Sequence, residues 1–119
     1  MPTIQKFTQL FAWQKAHALA LEVYKLTTLF PKSELFGLTS QVRRAAVSVS
    51  ANIAEGFKRT GVADQHRFYN IAAASLEELR AELFLARDLG YFPILYSTNI
   101  NNQMDEAAGY LASWIRRKH

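Results

Sequence analysis

Arg43-Arg44 and Lys58-Arg59 bracket the stretch of this chain best suited to chemistry. The fifteen-residue offset from one pair to the other is roughly four helical turns, ~22 Å, which spans several phosphates of a nucleic-acid strand. Between them lie Ala45, Ala46, Ser48, Ser50, Ala51 and Ala54, residues small enough for another helix to approach closely. A helix that only fills a core has no use for the cations, and one that only grips a polyanion has no use for the small residues. Arg67 and the tail Arg116-Arg117-Lys118 are secondary anion contacts. The competing reading pairs Arg43 and Arg44 with Glu77, Glu78 or Glu82, and at this stage both stand open.

Other chemistry is thin. A di-iron site in a helical bundle needs Glu with His three residues on. The positions three beyond Glu22, Glu55, Glu77 and Glu78 hold Lys25, Lys58, Arg80 and Ala81. His17, His66 and His119 have no ligand spacing, so no metal or other cofactor is expected. Ser48 and Ser50 have no His nearby in sequence and read as packing residues. No phosphate-cradling glycine motif occurs, and the chain is expected to be no enzyme. No zinc-finger, homeodomain or RNP signature points to base reading. Tyr91, Phe92 and Tyr96 are able to stack on bases, but aromatics in a link between helices more often seal the end of a bundle.

Charge is distributed unevenly. The 119 residues carry a formal +4 and a sequence pI near 9.6. Residues 31–62 hold five basic and two acidic groups, whereas 63–90 hold three Arg against five acids. A basic helix followed by an acidic one suits anion binding and self-association alike.

Four helices must position these residues. Ala12, Ala16, Leu19, Val23, Leu26 and Phe30 form one amphipathic stripe, ended by Pro31. Leu35, Leu38, Val42, Ala45, Val49 and Ile53 form a second, with Ser33 as expected N-cap and Gly56 near its end. Phe68, Ala72, Ser75, Leu79, Leu83 and Ala86 form a third, capped by Thr60 or Gly61 and stopped by Gly90. Ile100, Met104, Ala107, Ala108, Leu111 and Ile115 form a fourth, capped by Ser97 or Thr98. No strand alternation appears, and the links are short. The expectation is an all-α, up-down-up-down antiparallel four-helix bundle occupying residues 1–119 as one domain. Half of the residues are hydrophobic and none is Cys. That fits a cytoplasmic protein, without the ~18 apolar residues in a row that a membrane span needs. Phe7, Phe11, Trp13, Phe57, Tyr69, Phe84 and Tyr110 fall outside the main stripes, a surplus that predicts an oligomer interface.

Leu10-Phe-Ala-Trp-Gln-Lys-Ala16, Phe30-Pro31, the run Gln41 to Gly56 with its Arg-Arg-Ala and Asn-Ile-Ala-Glu-Gly, and Ala73-Ala-Ser-Leu-Glu-Glu-Leu79 together resemble the 23S rRNA intervening-sequence family of four-helix bundle proteins. The likeness spans nearly the whole chain and departs at Ala74, where the family often has Gly. It implies a small bacterial bundle, commonly encoded within insertions in large-subunit ribosomal RNA genes, with no catalytic residues. That family is similar in fold to the accessory variability determinant of diversity-generating retroelements, a pentameric barrel whose basic surface binds nucleic acid and a reverse transcriptase. By resemblance, then, a homopentamer is expected here. It would bind structured RNA or RNA–DNA hybrid with little sequence preference. The rival expectation is a protein-interaction scaffold whose arginines form inter-subunit salt bridges and whose partner is a protein such as a polymerase.

Overall fold

A computed structural model describes residues 3–117 of the chain. Four helices carry the fold: α1 (Phe11–Thr27), α2 (Leu38–Lys58), α3 (Val62–Asp88) and α4 (Ser97–Arg117). Single 3-10 turns at Phe7–Gln9, Lys32–Glu34 and Ile94–Tyr96 lead into α1, α2 and α4, and no strand occurs among the described residues. Neighbouring helices meet in opposite senses. Along α2 and α3, Ser48 bonds Ser75 while Gly56 abuts Tyr69. Along α1 and α4, Lys15 pairs with Glu106 while Phe11 lies against Tyr110. The envelope is an elongated 45 × 25 × 18 Å.

The apolar stripes supply the core. Ala12, Ala16, Leu19, Val23 and Leu26 of α1 are buried, as are Val42, Ala45, Ala46, Val49 and Ile53 of α2. From α3 come Ala72, Leu76, Leu79, Leu83 and Ala86, and from α4 Ile100, Met104, Ala107 and Leu111. Phe30 and Phe92 close one end of this core, their rings stacked at 6.3 Å, with Tyr91 against Phe30 at 5.5 Å. Apolar burial of this kind contributes about 25 cal/mol per Å² and is the main drive to assemble the helices. No helix among the described residues is long and apolar enough to cross a membrane.

Several helix limits differ from the sequence expectation. α1 stops at Thr27, and Leu29 and Phe30 are held by tight-turn bonds to the carbonyls of Leu26 and Thr27. α2 does not start at Ser33. Lys32–Glu34 forms a separate turn, Gly37 with φ −113° and ψ −115° breaks the path, and the helix starts at Leu38. Its cap is the Glu34 side chain, whose Oε1 accepts the Leu38 amide at 3.0 Å. Leu35 consequently leaves the inward stripe and is exposed. Gly56 lies near the end of α2, as expected, two residues before Lys58. Its role is proximity: an added Cβ would lie 2.7 Å from the Tyr69 ring. Gly61 is the N-cap residue of α3, and Gly90, at φ 75°, provides the left-handed turn after α3 that favours glycine. α4 begins at Ser97 itself, after the turn at Ile94–Tyr96.

The aromatic surplus divides. Tyr69, one of the aromatics outside the stripes, is fully buried at 0% exposure, and Trp13 and Phe57 pack partly against the core. Phe7, Phe11, Phe84 and Tyr110 remain exposed.

Candidate nucleic-acid interface

The antiparallel arrangement brings the C-terminal ends of α2 and α4 beside the N-terminal ends of α1 and α3. Phe57 and Trp114 face each other at 6.5 Å across α2 and α4. Lys6, Phe7 and Thr8 share a concavity with Ala54, Phe57 and Lys58. The segment that carries Lys6 is ordered by Gln9, whose Oε1 accepts the amides of Gln5 and Lys6 at 2.8 and 2.9 Å.

This end collects cations from remote parts of the sequence. Arg59 and Arg67 clasp the Phe68 ring from 4.6 and 4.4 Å, a cation–π arrangement that keeps both guanidinium groups at the surface. Arg117 lies 5.8 Å from the Trp114 ring. Lys58, Arg59, Arg67, Arg116 and Arg117 are all exposed. Against them stand Asp64, 3.0 Å from Arg67 and 3.6 Å from Arg59, and Glu55, 3.9 Å from Arg59. Exposed pairs of this kind are weak, so the guanidinium groups stay available to a stronger anion. Lys118, the last sequence-predicted contact, lies outside the described residues.

Arg43 and Arg44 are elsewhere. Arg43 is half-buried on the α1 side of α2: its Nε donates to the Thr27 hydroxyl at 2.8 Å, and its guanidinium stacks 4.8 Å from the Tyr24 ring. Arg44 is exposed on the outer face of α2. Neither pairs with Glu77, Glu78 or Glu82 among the described ion pairs. Glu77 is instead 3.5 Å from Arg80, which also binds Asp105 of α4 at 3.0 Å. Glu78 and Glu82 form a carboxyl pair: burial, followed by the charge and hydrogen bond of Glu78, pushes Glu82 up to about 7.

The sequence-predicted basic surface is thus two surfaces. Lys58, Arg59, Arg67, Arg116 and Arg117 come together at one end, while Arg43 and Arg44 lie about four turns along α2. Lys6 and the clasp on Phe68 were missed in the sequence. The signal for the clasp was present, since Arg67 adjoins Phe68 and Arg59 closes the preceding helix.

Two small residues of α2, Ser48 and Gly56, meet α3. Ser48 bonds Ser75 at 2.8 Å and also accepts from Asn52 at 3.0 Å, and Asn52 donates to the Ser48 carbonyl at 2.8 Å. These contacts give Ser48 a packing role, as its sequence context suggested. Among the described residues no three His, Asp or Glu side chains gather as a metal site.

The model of a family described as 23S rRNA-intervening sequence protein matches residues 8–113. A solved structure from Bacteroides thetaiotaomicron VPI-5482, described as a protein with unknown function from the S23 ribosomal protein family, is similar with a TM-score of 0.77. The two are 26% identical over 87% of this chain and 97% of that one. No curated protein matches.

Proposed function

The chain belongs to the 23S rRNA-intervening sequence protein family, and on that premise we propose that it is a non-enzymatic, oligomeric protein that binds structured RNA or RNA–DNA hybrid. The observation that carries this reading is the gathering of Lys58, Arg59, Arg67, Arg116 and Arg117 at one end of the bundle. Phosphates are the ligand such a surface fits: guanidinium groups offer paired donors, and the ring faces of Phe68 and Trp114 hold two sides of the cluster in place. Contact with the backbone rather than with base edges gives little sequence preference.

In this reading the protein is cytoplasmic and homopentameric, similar in assembly to the accessory variability determinant of diversity-generating retroelements. An assembly with its bundles side by side multiplies the contacts of each basic end by effective concentration. Gel-shift titration with a structured RNA and with an RNA–DNA hybrid tests it. Affinity should fall at least ~10-fold between about 50 and about 200 mM salt and differ little between unrelated sequences. Absence of any retarded species at low salt overturns the proposal.

A second reading is favoured by a different observation. Ile94 and Leu95, at the end away from the cations, are 77% and 79% exposed. Such side chains suit a protein partner such as a polymerase, for which this chain would be an accessory subunit. Binding of protein but not of RNA at low salt favours it.

A further inference from the structure

Two stripes of this chain have the spacing of helix-packing seams and yet face outward. On α2, Ser40, Arg44, Val47 and Ala51 are separated by four, three and four residues. On α3, Ile71, Ala74, Glu78, Ala81 and Leu85 are separated by three, four, three and four. Alternation of three and four keeps one line of side chains against a partner helix. The inward stripes of both helices are already occupied by the core, headed by Val42, Val49 and Ile53 on α2 and Leu76, Leu79 and Leu83 on α3. The outward stripes are exposed, apart from the half-exposed Ser40.

Their composition is that of an interface. Ser40 and Ala51 on one stripe, and Ala74 and Ala81 on the other, are small enough for backbones to approach closely. The apolar character extends beyond each stripe. Beside the α2 stripe lies a concavity of about 700 Å³ with Tyr24, Leu35 and Phe36 in its wall. Phe36 is 94% exposed there. Beyond the α3 stripe, Leu89 is exposed. Exposed apolar side chains gathered in this way mark interaction surfaces.

Each stripe also carries one central charge, and the two are opposite. Arg44 has no ion pair among the described residues, and neither has Glu78, which lies near the Glu82 carboxyl. Other charges nearby do find partners, as Arg80 does with Glu77 and Asp105. Among the described residues neither of the two charges has an opposite charge paired to it.

We infer that the occupant of the α2 stripe is a second copy of this chain, presented through its α3 stripe, with Arg44 of one copy paired to Glu78 of the next. Small residues let the helices close, Val47 and Phe36 meet the apolar α3 flank, and the charge pair sets the register. Each copy has both stripes, so each copy offers both halves of the contact. The inference rests on the oligomer of the proposed function and names the surface that builds it. It also assigns Arg44 to assembly rather than to phosphate.

Light scattering at about 100 µM protein, with helicity followed by circular dichroism, tests it. Arg44→Glu should reduce the mass to the single-chain 13.5 kDa with helicity retained, because the residue is exposed. The double variant Arg44→Glu/Glu78→Arg should restore the wild-type mass. Ala51→Arg and Ala81→Arg, which add bulk to each stripe at exposed positions, should each dissociate the assembly. Undiminished mass in Arg44→Glu and in both bulky variants overturns the interface while leaving the oligomer itself standing. Failure of the double variant to regain mass overturns the Arg44–Glu78 pair. A wild-type protein of single-chain mass overturns interface and oligomer together. RNA binding by the dissociated variants, read by gel shift at low salt, should weaken through lost multivalency but persist, because the cations at the bundle end are unchanged.

Discussion

The Tyr91 hydroxyl donates a 2.6 Å hydrogen bond to Oε2 of Glu34, joining the α3–α4 link to the α1–α2 link across 57 residues of sequence. The other oxygen of the same carboxylate accepts the Leu38 amide and caps α2. The amide bond, then the Tyr91 bond, hold the Glu34 carboxyl below its ordinary 4.5. A depressed carboxyl contributes stability above pH 4.5 and loses it as pH falls through the folded-state value. Glu34→Gln should therefore lower the thermal midpoint at pH 7 and flatten the acid loss seen in the wild type. Tyr91→Phe, which keeps the cap, should lower it less. Equal midpoints for wild type and Glu34→Gln at pH 7 would refute the clamp.

Glu82 gives the opposite pH signature. Its folded-state value, about 7, lies above the ordinary 4.5, so the folded chain holds a proton that the unfolded chain releases. Stability linked to this group is fullest below pH 4.5 and declines as pH rises towards 7. Glu82→Gln removes the titration. At pH 8 the variant should be more stable by about 1 kcal/mol, a figure reduced for the partial exposure of the side chain, and at pH 5 nearly equal to wild type. Urea midpoints at the two pH values check this, and a pH-independent difference would contradict it.

Two glycines of helices should respond oppositely to Ala. At Gly56 the new Cβ meets the Tyr69 ring at 2.7 and 2.9 Å and the Phe68 Cβ at 3.1 Å. Tyr69 is fully buried and has little room to retreat. Gly56→Ala should cost about 1–3 kcal/mol. At Gly109, within α4, nothing lies within 4 Å of the added Cβ. Gly109→Ala should stabilise by up to ~1 kcal/mol through helix propensity and reduced unfolded-state entropy. Denaturant midpoints distinguish the two, and a neutral Gly56→Ala would show that the α2–α3 contact gives way more readily than its spacing implies.

Charge reversal at the two ends should have unequal effects on RNA. Lys58→Glu with Arg116→Glu alters the end where Arg59, Arg67 and Arg117 gather, and should weaken RNA affinity ~10-fold or more at low salt. Lys32→Glu, in the link at the other end, should leave it within about twofold. Equal weakening by both would mean that net charge, not the cluster, governs binding.

The sequence by itself determined most of the four inward stripes, because a 3.6-residue period of apolar side chains has one way to be buried, but Leu35 and Phe68 lie outside the core. It also supplied the turn residues Pro31, Gly61 and Gly90 and the packing role of Ser48. It misplaced the start of α2, because the cap is a side chain from the preceding turn rather than a residue at the boundary. It left Tyr69 outside the stripes, although Gly56, thirteen residues earlier, leaves the space that buries it. Only the tertiary structure decided which cations act together. Lys58, Arg59, Arg67, Arg116 and Arg117 are dispersed along the chain, and antiparallel packing alone brings their helix ends to one place. Arg43 and Arg44, adjacent in sequence, diverge by the 100° between successive residues of a helix, one tucked against Tyr24 and Thr27 and the other left facing outward.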